Sequence, residues 1–267
     1  MNRIDLAFER LRRENMRGLI AYLTAGDPSP DRTVELVLAL ERGGADIIEL
    51  GVPFSDPTAD GPVIQRASDR ALKAGTTFVK VLDMIRELRK RSQIPIVVFS
   101  YLNPILRYGF ERFATDAAAA GADGALLTDL NVEAAEPYLS EMQSHDLMPV
   151  FLVSQTTSPD RLQQVAKASG GFLYLVSTAG VTGVRDTIAS GALPLVERAR
   201  AATDLPLALG FGLSKKEHMQ AIAPYADAAI VGSAFMRVVE ETQGALDLPQ
   251  RLESLAAELK SGLAAQS

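Results

Sequence analysis

The run Glu49 to Gln65, Glu-Leu-Gly-Val-Pro-Phe-Ser-Asp-Pro-Thr-Ala-Asp-Gly-Pro-Val-Ile-Gln, holds the residues best suited to chemistry in this chain. One acid, Glu49, stands inside an apolar run. A second, Asp60, lies on the Pro-, Gly- and Asp-rich loop that follows. A carboxylate at a strand's end and another on the next loop point two proton-handling groups into one pocket. The plainer reading makes Glu49 a cap for a neighbouring element and the loop merely solvated. It is weakened by cost: an ionised side chain among apolar neighbours is penalised by on the order of several kcal/mol unless something uses it.

Other chemistries are excluded or left without support. There is no cysteine, which removes disulfides, thiol catalysis and thiolate metal sites together. His145 and His218 lie far apart, one late in a polar helix and one in a Lys-Lys-Glu-His run, so both read as surface residues and no metal site is expected. The net charge of −6 gives no basic footprint for nucleic acid. The opening Met-Asn-Arg-Ile-Asp-Leu reads as an amphipathic helix, not a signal peptide. No apolar run approaches the ~20 residues of a membrane span. A soluble cytoplasmic protein is expected.

The elements that must position the acids alternate regularly. After a helix over about Ile4–Glu14, short apolar runs predict strands at Gly18–Thr24, Ile47–Val52, Ile94–Tyr101, Gly124–Thr128, Met148–Val153, Phe172–Val176, Leu205–Leu209 and Ala228–Val231. Helical periodicity fills the gaps at Asp31–Arg42, Thr77–Ser92, Gly109–Ala120, Val132–His145, Ser158–Ser169, Pro194–Ala202 and Lys215–Ala223, with a last helix at about Leu248–Leu263. Gly44-Ala45-Asp46, Gly121-Ala122-Asp123 and Ala226-Asp227 repeat as joints leading into strands.

With 47% hydrophobic residues and no linker, eight βα units predict one TIM barrel over residues 1–267. Beyond the eight units there is an extra N-terminal helix, and short inserted helices at Pro62–Ala74 and Ser233–Glu240 follow strands two and eight. A doubly wound sheet is the alternative, but no early Gly-x-Gly-x-x-Gly supports it.

In such a barrel the loops at the carboxyl ends of the strands carry the chemistry. Glycine-bearing loops fall there after strand six (Ser177–Arg185), strand seven (Gly210–Ser214) and strand eight (Gly232-Ser233-Ala234). Together they predict a cradle of backbone N–H groups and a helix N-terminus around a phosphate.

The long acidic-loop motif resembles the signature of the tryptophan synthase α subunit. So do Gly26-Asp27-Pro28, Asn103-Pro104, Gly180-Val181-Thr182-Gly183 and Gly210-Phe211-Gly212, and the likeness runs over essentially the whole chain. The resemblance implies a TIM barrel that cleaves indole-3-glycerol phosphate to indole and glyceraldehyde 3-phosphate. It implies a β-subunit partner in an α2β2 assembly, with pyridoxal phosphate held by that partner and no cofactor in this chain.

By the same resemblance, Glu49 and Asp60 are the catalytic acids, and Gly183, Gly212, Gly232 and Ser233 are the phosphate cradle. Tyr22, Ile64, Phe99, Leu126, Tyr174, Phe211 and Ile230 line the indole pocket. Thr182 would reach Asp60 when a lid over Ala179–Gly191 shuts. Asp56, Pro57, Thr58, Asn103 and Asn131 fall where the partner docks. The chain departs from the family's usual pattern at Thr58, Asn131 and Gln155, which bears on partner affinity more than on chemistry. Two competing readings are another phosphosugar enzyme on the same barrel and a catalytically weak subunit that mainly activates its partner.

Overall fold

The computed structural model describes residues 1–176, 185–210, 212–242 and 245–264, with backbone alone for 185–191. The strands are β1 (Gly18–Thr24), β2 (Ile47–Gly51), β3 (Ile96–Ser100), β4 (Gly124–Leu127), β5 (Met148–Val150), β6 (Leu152–Ser154), β7 (Leu173–Val176), β8 (Leu207–Gly210) and β9 (Ala228–Val231). Their order in the sheet is β5-β4-β3-β2-β1-β9-β8-β7-β6. Every described pairing is parallel.

The two ends of that order, β5 and β6, are joined in the chain by Phe151 alone, so the sheet closes on itself as a barrel. The run expected as a single fifth strand is therefore divided. Its first half pairs only with β4 and its second only with β7, and the Tyr174 N–H donates to the Phe151 carbonyl at 3.1 Å across the break.

The helices are α1 (Arg3–Arg13), α2 (Thr33–Arg42), α3 (Pro62–Lys73), α4 (Phe78–Arg89), α5 (Leu102–Tyr108), α6 (Phe110–Ala120), α7 (Glu136–Ser144), α8 (Pro159–Ala168), α9 (Arg185–Ala202), α10 (Lys216–Ile222), α11 (Ser233–Thr242) and α12 (Leu248–Ser261). Asn2 caps α1 by accepting from the Ile4 N–H at 3.0 Å. The helix then lays Ile4, Ala7, Phe8 and Leu11, one face at helical spacing, into the barrel interior. Leu11 meets Gly18, Ile4 meets Gly124 and Phe8 meets Phe172, all at strand beginnings, so α1 closes the amino-terminal end of the barrel. The larger core cluster fills the space between the strands and the outer helices.

Two helices also differ from expectation. α5 is a short helix without a repeated apolar stripe, and Pro104 in its first turn reads locally as loop. α9 begins at Arg185, not Pro194, so the Arg185–Gly191 stretch expected in a lid is helical backbone. Gly191 and an interior Pro194 disguise it in the sequence.

The repeated joints have a common structural use. Asp46 accepts from the Leu19 N–H at 2.8 Å, Asp123 from Ile96 at 2.7 Å and Asp227 from Leu207 at 2.8 Å. Each carboxylate entering a strand thus staples the amino end of the preceding barrel strand. Each also has a cation: Arg10 and Lys260 on Asp46, Arg3 and Arg89 on Asp123, and Arg200 on Asp227. Buried as Asp46 and Asp123 are, they need those partners.

Candidate active site

Strand register decides where Glu49 points. Its register partners are Tyr22 on β1 and Val97 on β3, and Val97 belongs to the barrel-interior cluster. Residues paired in register face the same side of a sheet, so Glu49 faces inward. It is 1% exposed, and its Oε1 has no hydrogen-bond partner among the described residues. Burial alone pushes its carboxyl up to about 8. At neutral pH the group is an acid with a proton to give.

Asp60 is held from a different strand. The Tyr101 hydroxyl, one residue past β3, donates to Asp60 Oδ2 at 2.9 Å and accepts from the Ala59 N–H at 3.0 Å. Its ring packs on Phe54 with centres 5.1 Å apart, so one side chain grips both arms of the loop. Burial raises the Asp60 carboxyl above its ordinary value, and the Tyr101 hydrogen bond opposes that shift. Both carboxylates act electrostatically on the phenols of Tyr22 and Tyr174, raising each beyond the effect of its burial.

The pocket walls follow from small residues at strand ends. Tyr22 and Phe99 meet edge to face at 5.1 Å. A Cβ on Gly51 would stand 2.3 Å from the Tyr22 hydroxyl, and one on Gly210 2.6 Å from that of Tyr174. Glycine at 51 and 210 lets the two phenols lie across the strands. Phe99, Leu126, Tyr174 and Ile230 are gathered in the interior cluster. Ile64, at the first turn of α3, packs instead against the outer core.

Of the expected cradle, Gly232 lies against Tyr22, where an added Cβ would stand 3.3 Å from the Tyr22 Cβ, and Ser233 opens α11. Gly212 follows β8 in a left-handed conformation, φ +64°, that favours glycine. Gly183, Thr182 and Phe211 lie outside the described residues.

Asp56, Pro57 and Thr58 line a cleft of about 420 Å³ beside the Asp60 loop, and Asn131 lines another of about 430 Å³. The Asn131 Oδ1 accepts from Arg161 at 3.1 Å, and Asn103 is exposed on α5. His145 bonds Thr115, and His218 accepts from the Ser214 N–H. Among the described residues no cluster could hold a metal ion, and no helix is long and apolar enough to cross a membrane. Sequence reasoning missed Tyr101. Its one available signal was its place between the end of strand three and Asn103-Pro104.

A closed parallel barrel with inward and loop carboxylates at the carboxyl ends of its strands defines an enzyme of the (β/α)8 class. The sequence profile of the family described as "Tryptophan synthase alpha chain" matches residues 8–264. A tryptophan synthase alpha chain from Solibacter usitatus is 55% identical over 267 residues, covering 100% of both chains. One from Geotalea uraniireducens is 44% identical over 99% of each. Among solved structures, tryptophan synthase subunit alpha from Legionella pneumophila superposes with a TM-score of 0.91 at 39% identity, over 98% of both chains. A tryptophan synthase structure from M. tuberculosis gives 0.89 at 36%, over 98% of this chain and 99% of that one.

The chain belongs to the tryptophan synthase alpha chain family. It is a lyase that cleaves indole-3-glycerol phosphate, in the α-subunit role of tryptophan biosynthesis.

Proposed function

We propose that Glu49 and Asp60 carry this cleavage, and the observation behind the reading is the buried Glu49 at the barrel mouth, its Oε1 without a partner among the described residues. Indole cannot leave as a C3 carbanion. The protonated Glu49 gives its proton to C3, forming an indoleninium whose ring N–H is held by Asp60. That carboxylate stabilises the positive charge as it develops. The resulting Glu49 carboxylate takes the proton of the adjacent side-chain hydroxyl. The C3–carbon bond then breaks, its electron pair returns to the ring, and the oxygen becomes the carbonyl of glyceraldehyde 3-phosphate. Proton and electron pair both balance, and Glu49 ends as it began.

Gly212, Gly232 and Ser233, with Gly183, hold the phosphate. Binding energy remote from the broken bond thereby orients the indole against Tyr22, Phe99, Leu126, Tyr174 and Ile230, joined by Ile64 and Phe211. Thr182 serves Asp60. The reaction takes place in the cytoplasm within an α2β2 assembly. Its β subunit holds pyridoxal phosphate, consumes the indole and docks on Asp56, Pro57, Thr58, Asn103 and Asn131. Intact acids argue against a subunit that only activates its partner. Indole release from indole-3-glycerol phosphate by Glu49→Gln and Asp60→Asn tests the assignment. Each should lose roughly 10²–10⁴-fold in kcat, and near-native turnover in a folded variant would refute it.

A further inference from the structure

The helix after the Asp60 loop and the helix that opens at the phosphate cradle are joined by charge. α3 starts at Pro62, directly after Asp60-Gly61, and α11 starts at Ser233. Arg66 on α3 gives Glu240 on α11 two hydrogen bonds, 2.7 and 2.8 Å, and Arg70, one turn on, gives it a third at 2.8 Å. Arg70 is itself fixed, with bonds of 2.9 and 2.8 Å to the two oxygens of Asp27. Asp27 sits in the loop after β1 and is 0% exposed. A buried carboxylate stripped of its cation is strongly destabilising, so Arg70 is not free to swing away.

From the first turn of α3, one residue before Arg66, Gln65 reaches back. Its Nε2 donates to the Asp60 carbonyl at 2.8 Å and to that of Pro57 at 3.4 Å. A continuous chain of contacts therefore runs from α11 through Glu240, Arg66 and Arg70 to α3, and through Gln65 to the backbone of Asp60.

The ion pairs are too exposed to matter much for stability singly. Their geometry is another matter. Two-pronged guanidinium–carboxylate contacts fix direction as well as distance, and here they limit how α3 turns or slides against α11. An anion seated at the first turn of α11 restrains that helix. A restraint on α11 is passed to α3 and from there to the loop that carries the charge-stabilising acid.

We infer that Arg66, Arg70 and Glu240 are positioning residues that couple occupancy of the anion site at Ser233 to the placement of Asp60. The inference rests on the cradle reading above. Coupling of this kind is reciprocal: whatever fixes the Asp60 loop also tightens the anion.

The experiment uses the substrate in two pieces. The full-length protein is given indole glycerol, which lacks the phosphate, with or without inorganic phosphite. In the natural chain phosphite should raise the kcat of cleavage roughly tenfold, because the separated anion still orders the loop. In Arg66→Gln and Glu240→Gln, which leave the Arg70–Asp27 pair intact, that activation should shrink to under about twofold. Phosphite should still compete with indole-3-glycerol phosphate, at an inhibition constant raised by the loss of the reciprocal tightening. With the intact substrate these variants should lose more in kcat than they gain in KM, and the charge swap Arg66→Glu with Glu240→Arg should restore part of the loss.

Equal activation of the natural chain and the variants would overturn the coupling. Competition without any activation in the natural chain would also overturn it, while leaving the cradle in place. If phosphite neither competed nor activated, the cradle reading itself would fall, and this inference with it.

Discussion

Tyr101 and Asp60 are joined by a 2.9 Å hydrogen bond in which a strand-end phenol donates to a loop carboxylate. The Tyr101 hydroxyl also accepts from the Ala59 N–H, so the acid's position is set by the adjacent strand's end as well as by its own loop. Tyr101→Phe keeps the ring on Phe54 but removes both bonds. We expect kcat to fall roughly tenfold or more with little change in KM, because a misplaced stabilising group is felt mainly in the transition state. The lost hydrogen bond also lowers Asp60's pKa at present, so the acid limb of the kcat/KM profile should move to higher pH. An unshifted limb with native kcat would show that the loop holds Asp60 unaided.

Glu49 must be protonated to begin the reaction, and burial raises its pKa from 4.5 to about 8. Activity of the free chain should therefore decline as pH rises through about 8. The same shift bears on stability. The folded protein holds this proton where the unfolded chain has lost it, so the contribution is fully present below 4.5 and disappears as pH rises to about 8. Glu49→Gln should remove that dependence. Denaturant titrations at pH 5 and pH 9 should show the variant gaining on the natural chain with rising pH, by at most roughly 4 kcal/mol. Parallel stability curves would mean that Glu49 ionises freely in the folded state.

Gly212 holds a left-handed conformation beside the proposed anion site. Gly212→Val adds a branched side chain where backbone must approach a phosphate, and it strains the turn as well. KM for indole-3-glycerol phosphate should rise on the order of tenfold or more, and competition by inorganic sulfate should weaken in parallel. Isothermal titration with sulfate separates the two causes. A folded variant that binds sulfate like the natural chain would place the anion elsewhere.

Thr58 is exposed on the Asp60 loop and lines the cleft beside it. If the β subunit docks there, Thr58→Leu adds apolar surface to be buried, by roughly 1–2 kcal/mol. Titrating indole release with β subunit should show half-activation at about tenfold lower partner concentration. An unchanged midpoint would take Thr58 out of the interface, and a flat titration for both chains would mark a lyase that works without a partner.

What the sequence determined by itself was whatever local pattern controls. The amphipathic stripe of α1, the apolar strand runs and the turn residues between them encode a barrel, because burial on one or both faces dictates where apolar residues must recur. The two acids were legible for a related reason: Glu49 breaks an apolar run, and Asp60 lies in a motif too long and too specific to be a solvated loop. Local pattern failed where breakers sit inside real helices, at Pro104 and Pro194, and where one strand must serve two neighbours on either side of Phe151.

Tertiary structure alone decided the rest, since it depends on which side chains meet across large separations in sequence. Register turned Glu49 inward beside Tyr22, and the burial that follows is what raises its pKa. The pairing of β2 with β3 brought Tyr101 to Asp60 from 41 residues away. The order β2-β1-β9 brought Arg66 to Glu240 across 174. No spacing along the chain encodes such a pair. Only the parallel order of the strands, which sets the loops that follow them on one face of the barrel, makes them neighbours.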